Sequence, residues 1–261
     1  MSSNAKAVES RSRFLERIEG GAEETTVDGR LVALTQPMGA AAEQYRMLLH
    51  RIRHVRARRA EAGVQSQGGV IVAVTSAVRG EGVSITAANL ALTAARTRDA
   101  RVALVDCDLR RPGQSQLFGM GARPGLGDVL SGKTEIGEAL GHHQAGHLTV
   151  IGAGKSAGTD SASLLAGQRF AQTLSLLRTL FDEIFLDVPP ALATADASVV
   201  SYQADGVVLV TRAGSTPREQ VASAVRSLQG APVWGLVLNG VEPSRVPAPL
   251  PVVKGQLTSG K

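Results

Sequence analysis

An apolar run, Gly69-Val-Ile-Val-Ala-Val74, leads directly into Thr75-Ser-Ala-Val-Arg-Gly-Glu-Gly-Val-Ser-Ile85 and then into Thr86-Ala-Ala-Asn-Leu-Ala-Leu-Thr-Ala-Ala95. Strand, glycine turn and helix in that order make the frame of a phosphate-binding loop, because the backbone N–H groups of the turn and of the helix N-terminus face an anion. One residue breaks the pattern. Val83 stands where such a loop carries the lysine that reaches the β/γ-phosphates. The segment predicts the architecture of a nucleotide site without one of its main charges.

Apolar runs and helical patterns alternate along the rest of the chain. Strands are expected at Val70–Thr75, Arg101–Val105, Leu148–Ile151, Glu183–Asp187, Gly206–Thr211 and Val233–Leu238. Helical periodicity is clearest at Ser84–Ala95, Arg169–Phe181 and Arg218–Gln229, with an earlier helix from about Ala40 to Ala60. This alternation implies an α/β fold, a mostly parallel sheet with helices on both faces. Residues 1–30 are polar and charged and read as an N-terminal arm. Residues 31–245 form the α/β body, and 246–261 form a proline-rich, extended tail that includes Val246-Pro-Ala-Pro-Leu-Pro-Val-Val-Lys254.

With 43% hydrophobic residues among 261, the chain can bury a full core, and no stretch approaches the length of a membrane span. Its start lacks the layout of a signal peptide, so a cytosolic location is expected unless a partner brings the chain to a membrane. The single cysteine, Cys107, fits a reducing compartment and lies between two aspartates, which suits a small buried residue better than a nucleophile. The net charge of +5 is concentrated in one helix, at Arg46, Arg51, Arg53, Arg56, Arg58 and Arg59, beside an apolar stripe of Leu48, Ile52 and Val55. Such a helix suits acidic lipid, nucleic acid, an acidic protein surface or plain solvent. The lack of interleaved aromatics argues against single-stranded nucleic acid, and no nucleic-acid partner is expected.

Three polar groups close apolar strands, the place where open α/β sheets bind ligands. They are the glycine loop with Ser84, then Asp106 and Asp108 followed by Arg110, and then Asp187 in Ile184-Phe-Leu-Asp187 before Val188-Pro-Pro190. Together they resemble the bacterial tyrosine kinases of capsule and exopolysaccharide synthesis, which are P-loop ATPases with a deviant Walker A motif. The resemblance spans about Asp28 to Arg245. It is strengthened by Gly125-Leu-Gly-Asp-Val-Leu-Ser-Gly132, by Asp205-Gly-Val-Val-Leu-Val-Thr-Arg-Ala-Gly214 with Thr216-Pro217, and by Leu238-Asn239-Gly240. It implies a P-loop NTPase fold, with ATP and magnesium as ligands. Arg79, Gly80, Glu81, Gly82, Val83, Ser84 and Ile85 would then line the phosphates, and Asn239 would lie near the base. Asp106 and Asp108 would supply one metal-linked carboxylate and one base for a tyrosine hydroxyl. Asp187 would be the Walker B carboxylate, and Ser84, Asp106 and Asp187 would form the metal set.

The same resemblance implies a transmembrane polysaccharide co-polymerase or activator as partner, and homo-oligomers. The departures weigh on catalysis and assembly. Val83 removes the lysine, Ile85 replaces a small polar residue, and the only tyrosines are Tyr45 and Tyr202, none of them in the tail. Glu43-Gln-Tyr-Arg46 resembles the start of the family's oligomerisation motif, but Leu49 stands where its second arginine belongs. The expectation is a nucleotide-binding regulator with weakened or lost phosphoryl transfer. An active autokinase and a positioning or partitioning ATPase on the same fold stay open. Arg79, Arg110 and, at a distance, Lys155 are candidate substitute charges.

Two further patterns read as decoys. Gly152-Ala-Gly-Lys-Ser156 imitates the end of a Walker A motif but has Thr149 at its leading-glycine position, so a surface loop is expected. His142, His143 and His147 lie among glycines and read as a solvated loop rather than a metal site.

Overall fold

The computed structural model describes residues 27–64, 68–97, 100–143, 148–155, 160–228 and 230–242. Seven strands form one sheet: β1 (Val70–Ser76), β2 (Val102–Asp106), β3 (Gly141–His143), β4 (Leu148–Ile151), β5 (Glu183–Asp187), β6 (Gly206–Arg212) and β7 (Val233–Asn239). Their order across the sheet is β3-β4-β2-β5-β1-β6-β7. All neighbouring pairs are parallel except β3 with β4. The α/β, mostly parallel architecture read from the sequence is the one observed, and each expected strand lies within a residue or two of its place.

The sheet is covered on both sides because its central strands are apolar on both faces. Every residue of β1 is buried. Side chains alternate between two cores, as the two-residue period of a strand requires. Ile71, Ala73, Ala103, Val105, Ile184, Leu186, Val207 and Leu209 pack on one face, against Phe170, Leu174 and Leu177 of α8 (Gln168–Leu180). Val70, Val72, Val74, Val102, Leu104, Phe185, Val208 and Val210 pack on the other, against α3 (Val83–Ala95) and α2 (Ala40–Glu61). Short helices α1 (Val32–Thr35), α4 (Gln114–Leu117), α5 (Leu126–Leu130), α6 (Ile136–Ala139), α7 (Ser161–Ala166) and α9 (Asp196–Tyr202), with α10 (Arg218–Ser227), complete the layers.

Helix α2 docks through a line different from the one its stripe suggests. Ala42, Leu49 and Ile52 are buried, while Leu48 and Val55 are only partly covered. Leu49, at the position of the missing arginine, is therefore a core residue. Two of the helix's arginines are committed within the protein. Arg53 forms a two-pronged ion pair with Glu183 at 2.7 and 3.0 Å, and Arg46 pairs with Glu43 one turn earlier.

The polar arm is already docked at its C-terminal end. The Asp28 N–H donates to the Leu117 carbonyl at 2.9 Å, and the Arg30 carbonyl accepts from Asn89 Nδ2. The histidine stretch differs from the expected loop. Gly141–His143 form β3, because their backbone pairs antiparallel with Leu148–Val150 at the edge of the sheet. His147 and the tail at 246–261 lie outside the described residues. At the opposite edge, β7 leaves Leu236 and Leu238 more than half exposed.

Candidate functional site

Parallel strands deliver their C-terminal ends to one rim, and the register there decides which side chains meet. Val74 of β1 lies opposite Asp187 of β5, and Asp106 of β2 lies opposite Asp187 from the other side. The glycine loop leaves β1 at this rim and enters α3 at Val83. Sequence positions spread over 110 residues thus converge on one point.

The loop is held from behind. Gly80 and Gly82 adopt positive φ (83° and 92°), a region where a side chain is strained. A Cβ on Gly82 would lie 2.2 Å from Asn239 Nδ2, which donates to the Glu81 carbonyl at 2.8 Å. Glu81 is buried, and its carboxylate accepts from the Val78 N–H, the Arg212 N–H and the Thr216 hydroxyl. Its charge faces protein donors, which lock the loop to the end of β6. This is a different task from lining a phosphate. Asn239 likewise reaches the loop backbone through this bond.

On the carboxylate side the groups form one connected network. Gln114 Nε2 donates to Asp187 Oδ2 at 2.8 Å and to the Ser84 carbonyl at 3.0 Å, which links the loop serine to the carboxylate. Asp106 Oδ2 accepts from the N–H groups of Gly113 and Gln114 at 2.9 and 3.0 Å. Both aspartates are almost fully buried. Burial is the main force pushing the Asp106 carboxyl well above its ordinary range, and the Asp187 charge adds to it. Burial likewise pushes Asp187 up to about 6, against the pull of Ser84 and Gln114. Asp108 is partly exposed and is raised by burial, with Arg79 pulling the other way. Two buried carboxyls side by side hold a proton readily, and a divalent cation can take the proton's place. The donors Ser84, Asp106 and Asp187 are all oxygens, the set a hard cation such as magnesium prefers, so the residues fit that ion. Cys107, between the two aspartates, is fully buried, and burial drives its thiol well above the ordinary value. It is a packing residue.

The cation side is different. Val83 is 9% exposed and belongs to the core beneath the loop, while Ile85 packs partly on the same core. Arg110 Nε donates to Asp196 Oδ2 at 3.0 Å, in a pair that also takes the Ser161 hydroxyl. Arg79 sits in the loop itself, exposed, with its charge felt at Asp108. Lys155 is exposed beyond β4, and two strands separate β4 from β1.

The Walker-like decoy is a clasp rather than a surface loop. Gly152 and Ala153 are buried, and their carbonyls accept from the N–H groups of Leu126 and Gly127. Asp128 Oδ2 accepts from the N–H groups of Gly125 and Lys155, closing the clasp. Ser156 lies outside the described residues. Sequence reasoning passed over Gln114 and Asp196. Neither belongs to a glycine, strand-end or charge pattern, and only the fold brings them to the rim.

No protein-family model matches the chain. Among curated proteins it is 33% identical over 217 residues to tyrosine-protein kinase YwqD of Bacillus subtilis, covering 82% of this chain and 87% of that protein. It spans 24% of some longer relatives. Its structure resembles the kinase domain of the Escherichia coli tyrosine kinase ETK, with a TM-score of 0.75, 27% identity, and coverage of 90% of this chain and 89% of that one. The cell division ATPase MinD of Pyrococcus furiosus shares the fold (TM-score 0.57, 24% identity, 69% and 76% coverage). On the identity shared along most of both chains, the chain belongs to the bacterial tyrosine-kinase family, with a P-loop type fold.

Proposed function

We propose that this protein is a nucleotide-binding regulator of exopolysaccharide or capsule synthesis or export, with phosphoryl transfer weakened or lost. It would act at the inner face of the membrane through a transmembrane co-polymerase or activator. The carrying observation is the contrast within the site. The serine and carboxylates suited to magnesium are intact and linked through Gln114, while the lysine position is an apolar side chain packed into the core.

Bound magnesium would offset negative charge on the phosphates. The chain's own contribution is the backbone cradle of Gly80–Ser84, held open by Glu81 and Asn239. A charge-assisted contact to phosphate is worth about 1.5–3 kcal/mol. Losing one weakens binding without abolishing it. Groups that stabilise transferring phosphoryl charge matter by ~10³-fold or more in rate, so transfer suffers most. Tyr45 is also poorly placed as an acceptor, because it is only partly exposed and packs against the core.

The test is a titration with a fluorescent ATP analogue, with and without magnesium, for the natural protein and Val83→Lys, followed by phosphotyrosine detection. The expected result is magnesium-dependent binding by both, roughly 10- to 100-fold tighter for the variant, with no phosphotyrosine from the natural chain. Binding by the variant alone would make the natural site a scaffold. Phosphotyrosine on the natural chain or its partner would make it an active kinase.

A further inference from the structure

We infer that Gln114 is a positioning residue that aims the Asp187 carboxylate and the first turn of α3 at a bound cation. This rests on the nucleotide–metal reading of the site. Gln114 is fully buried just beyond β2, and it touches three members of the carboxylate network. Its backbone N–H donates to Asp106 Oδ2 at 3.0 Å. Its side-chain Nε2 donates to Asp187 Oδ2 at 2.8 Å and to the Ser84 carbonyl at 3.0 Å. Among the described residues, no other residue hydrogen-bonds to both strand-end carboxylates and to the helix that carries Ser84.

The chemistry fixes which way the amide points. Nε2 faces two acceptors, so exchanging it with Oε1 would set a carbonyl oxygen against a carboxylate and another carbonyl. Oε1 is buried and has no partner. A buried acceptor left unsatisfied is costly and unusual. The arrangement is explained if holding Asp187 and Ser84 outweighs satisfying Oε1. With one Asp187 oxygen and the Ser84 carbonyl tied by the same Gln114 amide, the carboxylate and the serine that carries the hydroxyl are arranged before any cation arrives. Partners one shell out from a metal commonly set its affinity by 10–100-fold.

The experiment uses Gln114→Met, close to glutamine in size but without a donor. It is made in the full chain and in the Val83→Lys background, and magnesium is titrated at a fixed concentration of fluorescent ATP analogue. The expected result is a roughly 10- to 100-fold rise in the magnesium midpoint, with metal-free nucleotide binding little changed and the folded state retained at a lower unfolding temperature. An unshifted midpoint in a folded Gln114→Met protein overturns the inference while leaving the nucleotide site intact. Absence of magnesium-dependent binding in both parent backgrounds overturns the underlying reading and this inference with it. If Gln114→Met does not fold, Gln114→Asn repeats the test, since it keeps an amide one carbon too short to span both acceptors.

Discussion

Ser84 and Val83 are adjacent residues on the first turn of α3, yet they belong to different environments. Ser84 joins a polar network with Asp187, Gln114 and Asp106 that is buried and directional. Val83 joins an apolar core of Leu90, Val74 and Phe185. On one side of the helix start, oxygen atoms are held for a cation. On the other, the place of a cation is filled with hydrocarbon. The comparison teaches that the proposed site is divisible. The proposed metal half rests on strand register and buried hydrogen bonds that do not involve residue 83, whereas a lysine there would contribute from a single side chain.

The sharpest way to break this contrast is to disturb the loop shared by both halves. Gly82→Ala forces a Cβ into positive φ and against Asn239, removing the tether to the Glu81 carbonyl. The expected loss is about 3 kcal/mol of unfolding free energy in urea, together with nucleotide binding at either magnesium level. A loss below about 0.5 kcal/mol would mean that the loop tolerates other shapes.

A somewhat smaller effect tests the carboxylate half alone. With Asp187 raised to about 6, the native protein keeps a proton between about pH 4 and pH 6 that the unfolded chain has released. Stability therefore falls as pH rises through that window. Asp187→Asn carries no such proton, so it should be more stable than the natural chain above pH 6, on the order of 2 kcal/mol, and converge with it below pH 4. Parallel stability curves for the two proteins from pH 4 to 8 would contradict a raised Asp187.

The smallest effect probes the cation half. Arg79 is exposed, so Arg79→Ala should weaken nucleotide binding only about two- to fivefold at low salt, and the difference should vanish at high salt. A loss as large as the gain from Val83→Lys would show that Arg79 has taken over the lysine's work.

Much of this molecule is legible from its residues. Five of the six parallel strands announce themselves as apolar runs because both of their faces are buried, while β7 keeps an apolar run at an exposed edge. The glycines at 80 and 82 mark the loop because few other residues accept positive φ. Asp106 and Asp187 stand out because each closes such a run. Other features carry no local signal. β3 is three residues with two histidines, and it is a strand only because β4 offers a free edge. Arg110 looked available to phosphates until the fold supplied Asp196, and Glu81 looked like a loop residue until β6 supplied its donors.

By itself the sequence determined the layered α/β frame, the position of the glycine loop and the absence of its lysine, since these depend on periodicity, backbone permissiveness and residue identity at one place. Only the tertiary structure decided that Leu49 and Val83 are core residues, that Glu81 and Asn239 brace the loop, and that Gln114 ties Ser84 to both aspartates. Those are contacts between distant segments. A hydrogen bond between residues 73 positions apart depends on strand register, which no single stretch of chain contains.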